Sequence, residues 1–269
     1  MNENFKVVVI IPFYRDTISA YEQIAIDQCE TVLSNYPIIA IKPESLVLPA
    51  ATEKYAFSKT VSFDDKYFKG IKGYNSLMLS DLFYRKFLDY DYILIYQLDA
   101  FVFKDELDFW CRQGYDYIGA PWIRNKIYPN IVKELASRFL FKVHTRFDLK
   151  KNGLPTKKQF DNKVGNGGFS LRRVKKFYEI SIKMRGGIEK YLQRDEHEYN
   201  EDAFWSIEVN RSKKRLKIPS YIVGLKFSME IFPYRAFNIN NEQLPFGCHA
   251  WDIHLDFWRP VFKQYGYNI

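Results

Sequence analysis

Tyr92-Ile93-Leu94-Ile95-Tyr96-Gln97-Leu98-Asp99-Ala100-Phe101-Val102-Phe103 decides the architecture of this chain. Its opening apolar run has the length and composition of a strand buried on both faces. The run then meets one carboxylate and a small residue. An unpaired carboxylate inside such a run loses its hydration at high cost. Asp99 is therefore expected at the open carboxyl end of the strand, where open α/β sheets bind ligands. The plainer reading is a cap of the following turn, a place where Asp is common.

Upstream, Lys6–Pro12 is a β-branched run that predicts a strand of a parallel sheet. Tyr21–Leu33 has helical spacing, and Pro37–Lys42 supplies a second strand. Such a strand–helix–strand unit implies a right-handed parallel crossover. Lys59–Phe63 predicts a third strand and Tyr74–Leu88 a helix leading directly into Tyr92. Alternating β and α elements indicate an α/β fold with a mostly parallel central sheet flanked by helices.

Downstream the pattern is less regular. Tyr117-Ile118-Gly119 predicts a short strand, Ile131–Phe141 is amphipathic, and Lys150–Lys163 reads as an exposed loop with Gly153 and Pro155. Phe169-Ser170-Leu171 starts a strand and Val174–Met184 a helix. The tail from Asn238 reads as loop-rich, with Trp251, Phe257 and Trp258 folding back over the body. No repeat or linker divides the chain, so residues 1–269 are expected to form a single domain.

Composition narrows the class. Of 269 residues 47% are hydrophobic and 18% aromatic, which excludes a disordered or fibrous chain. The 20 Tyr and 23 Phe exceed what a core needs, and some are expected to line a groove. Cys29, Cys111 and Cys248 are widely spaced and odd in number, so neither a disulfide framework nor a zinc ribbon is indicated, and a reducing cytoplasm fits. Met1–Lys6 lacks a signal-peptide layout, and no apolar run approaches the roughly 20 residues that span a bilayer.

The net charge of +8 admits anionic partners. Basic residues cluster at Lys157-Lys158, at Arg172-Arg173 with Lys175-Lys176, and across Arg211–Lys217. Solvated faces explain most such runs, and peripheral contact with the inner membrane face is the functional alternative. Without a recognisable reading module, nucleic acid is not expected.

Three further segments hold residues with no obvious core role. Val164-Gly165-Asn166-Gly167-Gly168-Phe169-Ser170 has glycines that permit positive φ or close approach of a ligand, or form a plain hairpin turn. Asn200-Glu201-Asp202-Ala203-Phe204-Trp205 places two acids at a helix start, as first-turn acids or as a general base. Phe246-Gly247-Cys248-His249-Ala250-Trp251 offers His249 as a ligand or phosphate contact. There is no HExxH, no P-loop, no dinucleotide-binding glycine fingerprint and no nucleophile elbow, which disfavours the corresponding hydrolases, kinases and dehydrogenases.

Taken in order, these pieces resemble the GT-A class of nucleotide-sugar-dependent glycosyltransferases. More narrowly, Tyr96-Gln97-Leu98-Asp99-Ala100, Gly165–Ser170, Glu201-Asp202 and Gly247-Cys248-His249 resemble an uncharacterised glycosyltransferase-like family with a Gln-Leu-Asp-Ala motif. The resemblance implies a GT-A-like domain with a nucleotide-binding half (1–105) and an acceptor-binding half (106–269). It implies transfer of a sugar from a nucleotide-diphosphate donor to a glycan or lipid-linked hydroxyl acceptor, with inversion.

By position, Asp99 matches the last acid of the Asp-x-Asp motif, which binds a divalent cation (Mn²⁺ or Mg²⁺) and the donor diphosphate. Gln97 stands where the first acid is expected. His249 resembles the late His that completes the metal site. Gly167, Gly168 and Ser170 resemble the loop shaping the donor-sugar and acceptor pocket, and Asp202 or Glu201 the catalytic base. Tyr14, Arg15, Lys72 and Lys163 are candidate donor contacts by position and charge. Trp122 and Trp205 are candidate sugar platforms. A nucleotidyltransferase would need a Gly-rich loop after the first strand, where Pro12-Phe13-Tyr14-Arg15-Asp16 stands instead. A non-enzymatic basic module for RNA or anionic lipid is the remaining alternative.

Overall fold

The β-branched run Val7–Pro12 forms strand β1, and all six of its residues are buried. The computed structural model describes residues 5–125 and 127–269, so the reading of Met1–Asn4 falls outside it. Strands β2 (Ile38–Pro43), β3 (Lys59–Phe63), β4 (Tyr92–Tyr96), β5 (Tyr117–Gly119) and β6 (Phe169–Arg173) join β1 in one sheet. The strand order is β3-β2-β1-β4-β6-β5. The pairs β1–β2, β1–β4 and β2–β3 are parallel, and β6 runs antiparallel between β4 and β5. Ile10 lies opposite both Ile39 and Ile95, which fixes the register of the central strands.

The period of two along each strand explains why the central runs are continuously apolar. Val7, Val9 and Ile11 of β1, with Tyr92, Leu94 and Tyr96 of β4, enter one core with Ala25, Ile26 and Cys29 of helix α1 (Ala20–Leu33). Val8, Ile10, Ile93 and Ile95 enter a second core with Leu77, Met78, Phe83 and Phe177. Helices therefore cover both faces of a mostly parallel sheet. Ser19 starts α1 as a capping box with Glu22.

Three sequence expectations needed correction. The helix expected over Tyr74–Leu88 is two helices, α2 (Gly70–Leu79) and Asp81–Arg85. Ser80 is extended between them, and its side chain accepts from Phe83 N, so capping outcompetes helix continuation there. The loop expected over Lys150–Lys163 contains a small hairpin, Lys150–Lys151 with Leu154–Pro155. Its turn residues Asn152 and Gly153 both have positive φ, as a two-residue hairpin turn requires. The loop-rich tail contains a helix, Leu255–Gln264. Phe257, Trp258 and Phe262 of that helix, with Trp251, pack on Phe101 and Phe103 as a third core. The helix α3 (Ile131–Arg146) extends five residues beyond the expected amphipathic stretch.

Cys29, Cys111 and Cys248 are buried free thiols. No helix of the described residues is long and apolar enough to cross a membrane.

Candidate functional site

Strand β4 stops at Tyr96, and Ala100 N donates to Gln97 O at 2.9 Å to close a tight turn. Asp99 sits in that turn at the carboxyl end of β4. The chain then enters Phe101–Val102, which pairs antiparallel with Gly247–Cys248, itself parallel to Ser228–Met229. This three-stranded ribbon delivers one polar residue from each strand to a common point. Asp99 precedes the first strand, His249 follows the second and Glu230 follows the third. His249 N donates to Met229 O at 3.0 Å, which holds the last two in register.

At that point His249 Nε2 lies 3.0 Å from Asp99 Oδ1 and 3.1 Å from Gln97 Oε1. Its Nδ1 lies 3.4 Å from Glu230 Oε1. Burial alone would push the imidazole down, but the carboxylates at its two nitrogens overcome this and raise it to about 10. Burial also pushes the Asp99 carboxyl up, and the facing imidazole more than reverses this and holds it below its usual range.

The Gly-rich loop serves this contact by leaving room. A Cβ on Gly168 would fall 1.9 Å from His249 Nε2, and one on Gly167 2.2 Å from Glu201 Oε1. None of Gly165, Gly167 and Gly168 has positive φ, so their role is close packing rather than backbone freedom. The segment is not a hairpin turn either, because Lys163–Val164 pairs with Pro121–Trp122 and not with β6. Gly168→Ala is expected to push His249 away from Asp99 and Gln97. The imidazole should then titrate lower by about a unit or more, since the carboxylates raise it. NMR titration of the ring protons measures this, and an unchanged midpoint would mean that the ring tolerates the methyl in place.

Gly167 and Gly168 are consecutive, with Cα atoms about 3.8 Å apart. The Glu201 carboxylate and the His249 ring therefore lie one against each of two adjacent glycines. Glu201 is nearly fully buried (4% exposed) and bonds Arg172 (0% exposed) at 2.9 and 3.2 Å. Arg172 also donates to Ser170 Oγ, Tyr84 Oη and Gly167 O. Ser170 Oγ in turn donates to Gly167 O at 2.7 Å. Ser170 and Glu201 are therefore consumed in a buried network that shapes the loop, and neither lines the cavities that hold Asp99 and Asp202. Asn166 completes the loop, accepting from Gly168 N and donating to Glu230 Oε1 at 2.6 Å.

Two cavities open on these residues. One, of about 630 Å³, is lined by Tyr14, Arg15, Tyr74, Gln97, Asp99 and Trp251 among others. It occupies the carboxyl ends of β1 and β4, as expected for an open sheet. The other, of about 710 Å³, is lined by Trp122, Arg124, Lys157, Phe160, Asp202 and Phe232 among others. Burial and the adjacent Glu201 carboxylate push Asp202 up to about 8. Among the described residues, the buried Tyr74 Oη and Glu230 Oε2 have no hydrogen-bond partner, and Tyr74 lines the first cavity.

The other residues singled out by sequence divide between these cavities and other places. Arg15 lines the first cavity and is paired with Glu22 at 2.7 Å. Lys72 reaches Asp195 and Lys163 borders a different cavity, so neither faces Asp99. Trp205 is a core residue whose Nε1 donates to Met78 O, whereas Trp122 does line the second cavity. Among the basic clusters, Arg172 is buried and Arg211 is paired with Glu208 and Asp148.

Among the described residues, no group of three or more His, Cys, Asp or Glu side chains is arranged to hold a metal ion. Asp99 and His249, expected as joint metal ligands, are bonded to one another. Gln97 is neutral, and the two carboxylates that reach this point, Asp99 and Glu230, each face a different nitrogen of the His249 ring. Sequence reading missed Glu230, Asn166 and Tyr74. Glu230 carried little signal, because it follows the mixed pair Ser228-Met229 and its partners Asn166 and His249 are distant in sequence.

A family model described as "Protein of unknown function (DUF5672)" matches residues 57–249, a span that holds Asp99, the Gly-rich loop, the acid pair, Glu230 and His249. No curated protein sequence matches the chain. Among solved structures, an active-site mutant of LgtC aligns over 90% of this chain and 86% of its own, with a TM-score of 0.51 and 13% identity. The galactosyltransferase LgtC in complex with donor and acceptor sugar analogues aligns over the same shares, with a TM-score of 0.49 and 12% identity. The first likeness shows a common, GT-A-like fold.

Proposed function

This chain belongs to the DUF5672 family, and we propose that it is a glycosyltransferase that moves a sugar from a nucleotide-diphosphate donor to a hydroxyl acceptor with inversion. One observation carries the reading. Asp99 and Gln97, both bonded to the buried His249, line a cavity at the carboxyl end of β4 that also receives Tyr14 and Arg15 from the end of β1. The GT-A-like fold supports placing the donor there.

In this reading residues 1–105 provide most of the donor cavity, and the half from 106 provides the acceptor cavity around Asp202. Asp99 and Gln97 bind the donor, and Arg15 with the His249 imidazolium faces the charge of the departing diphosphate. The acceptor oxygen attacks the anomeric carbon as the bond from that carbon to the diphosphate oxygen breaks. Asp202 takes the acceptor proton, and the nucleoside diphosphate leaves with the bonding electrons. Glu201 and Arg172 hold Asp202 in position without touching substrate. Trp122 offers a flat apolar face to an acceptor sugar.

Isothermal titration with UDP-, GDP- and dTDP-sugars tests the donor site. One of them should bind, and Asp99→Ala should weaken it by about tenfold or more, as expected when a charge-assisted contact is removed. Lack of binding by every donor would overturn the reading. Repeating the titration with Mn²⁺ and with EDTA decides the cation. A gain with Mn²⁺ assigns an ion to Asp99 alongside the diphosphate, and equal affinity leaves the diphosphate charge to Arg15 and His249.

A further inference from the structure

Helix α3 packs on the body through one side only. Phe141 is its one buried residue, and Glu134, Ser137, His144 and Thr145 are half-buried around it. The opposite side carries Val132 (71% exposed), Leu135 (57%) and Phe139 (66%), whose spacing of three and four puts them on one stripe. Ile127 precedes the helix and Phe147 follows it, both exposed. A surface helix that points its apolar stripe away from the core is unpartnered as it stands.

The charges around the stripe identify what covers it. Residues 127–151 carry Lys133, Arg138, Lys142, Arg146, Lys150 and Lys151 against Glu134 and Asp148. Both acids are neutralised inside the protein, Glu134 by Arg138 and Asp148 by Lys150 and Arg211. Lys133, Lys142, Arg146 and Lys151 have no ion-pair partner among the described residues and are exposed. An exposed apolar stripe flanked by uncompensated cations is the arrangement of a helix that lies in the interface of an anionic bilayer. A second copy of this chain would bring the same cations to the contact and be repelled by them.

We propose that α3 docks this protein on an anionic lipid surface, with Val132, Leu135 and Phe139 inserted among the acyl chains and the flanking lysines and Arg146 on the headgroups. The placement matters for the second cavity. Trp122–Asn125 just before this segment and Pro155–Phe160 just after it both line the cavity that holds Asp202. Docking through α3 would therefore bring that cavity to the membrane, where a lipid-linked acceptor is presented.

Co-sedimentation of the full chain with phosphatidylcholine vesicles, with and without phosphatidylglycerol, tests this. No donor or acceptor is present, so the result is independent of the proposed transfer reaction. The expected result is binding to the phosphatidylglycerol vesicles, weakened by added salt. Leu135→Glu with Phe139→Glu should lower it by a factor on the order of a hundred, and Lys133→Glu with Lys142→Glu by at least about tenfold. These side chains are exposed, so melting temperatures should stay unchanged and separate lost docking from lost folding. Three results would overturn the proposal: no vesicle binding, binding unaffected by either pair, or equal binding to neutral vesicles. Light scattering adds a fourth, a dimer of the 32.1 kDa chain that Leu135→Glu with Phe139→Glu converts to monomer, which would make the face a contact between copies.

Discussion

Asp202→Asn is expected to leave donor affinity within about twofold of the parent and to slow transfer by a factor on the order of 10²–10⁴, the usual contribution of a general base. The residue lines the second cavity and not the first, so removing its charge should disturb donor contacts little. The pH dependence follows from the same environment. Burial and the Glu201 carboxylate push Asp202 up to about 8, so its base form accumulates as pH rises through that value. Transfer at saturating substrates should climb with pH and level off above about 9, roughly a unit past the midpoint. Glu201→Gln removes a charge that raises Asp202 and should move the midpoint down. Measuring kcat across pH for the parent and both variants checks all three points. A rate that Asp202→Asn leaves unchanged would shift the base to Glu230, the other acid beside the loop.

Arg172→Met should destabilise the fold by about 3–5 kcal/mol, because it leaves the Glu201 carboxylate buried without its counter-ion. Urea unfolding measures the loss. Glu201→Leu alone should cost a similar amount for the mirror reason, stranding a buried guanidinium. Arg172→Met with Glu201→Leu should cost much less than the sum, since two apolar side chains replace a desolvated pair. Additive losses would mean that the two groups are held independently by their other partners. Arg172 has several of these in Ser170, Tyr84 and Gly167, so this cycle also reports how far the pair acts as a unit.

The central parallel strands β1, β2 and β4 were legible because their side chains are buried on both faces of the sheet. Val7–Pro12 and Tyr92–Tyr96 are buried on both faces, and that condition writes an unbroken apolar run into the sequence. The break at Ser80 and the helix Leu255–Gln264 were not legible. A capping serine competes with helix continuation locally, and the tail helix takes its apolar face from Phe101 and Phe103, far away in the chain. Asp99 was legible as a polar residue at a strand end. Its company was only partly so, since Glu230 and His249 reach the site through Phe101–Val102, Gly247–Cys248 and Ser228–Met229, strands too short to leave a periodic pattern.

What the sequence by itself determined is therefore the alternating α/β frame and the position of Asp99 at the carboxyl end of β4. Burial imposes those on neighbouring residues, through a period that can be read along the chain. The tertiary structure alone decided which acids are free to act. Glu201 and Asp202 are adjacent in sequence, yet Arg172, brought in from β6, neutralises the first and leaves the second in the wall of a cavity. It likewise paired Asp99 with His249, 150 residues away by number. The strength and availability of a charge depend on partners and solvent that only the folded chain assembles.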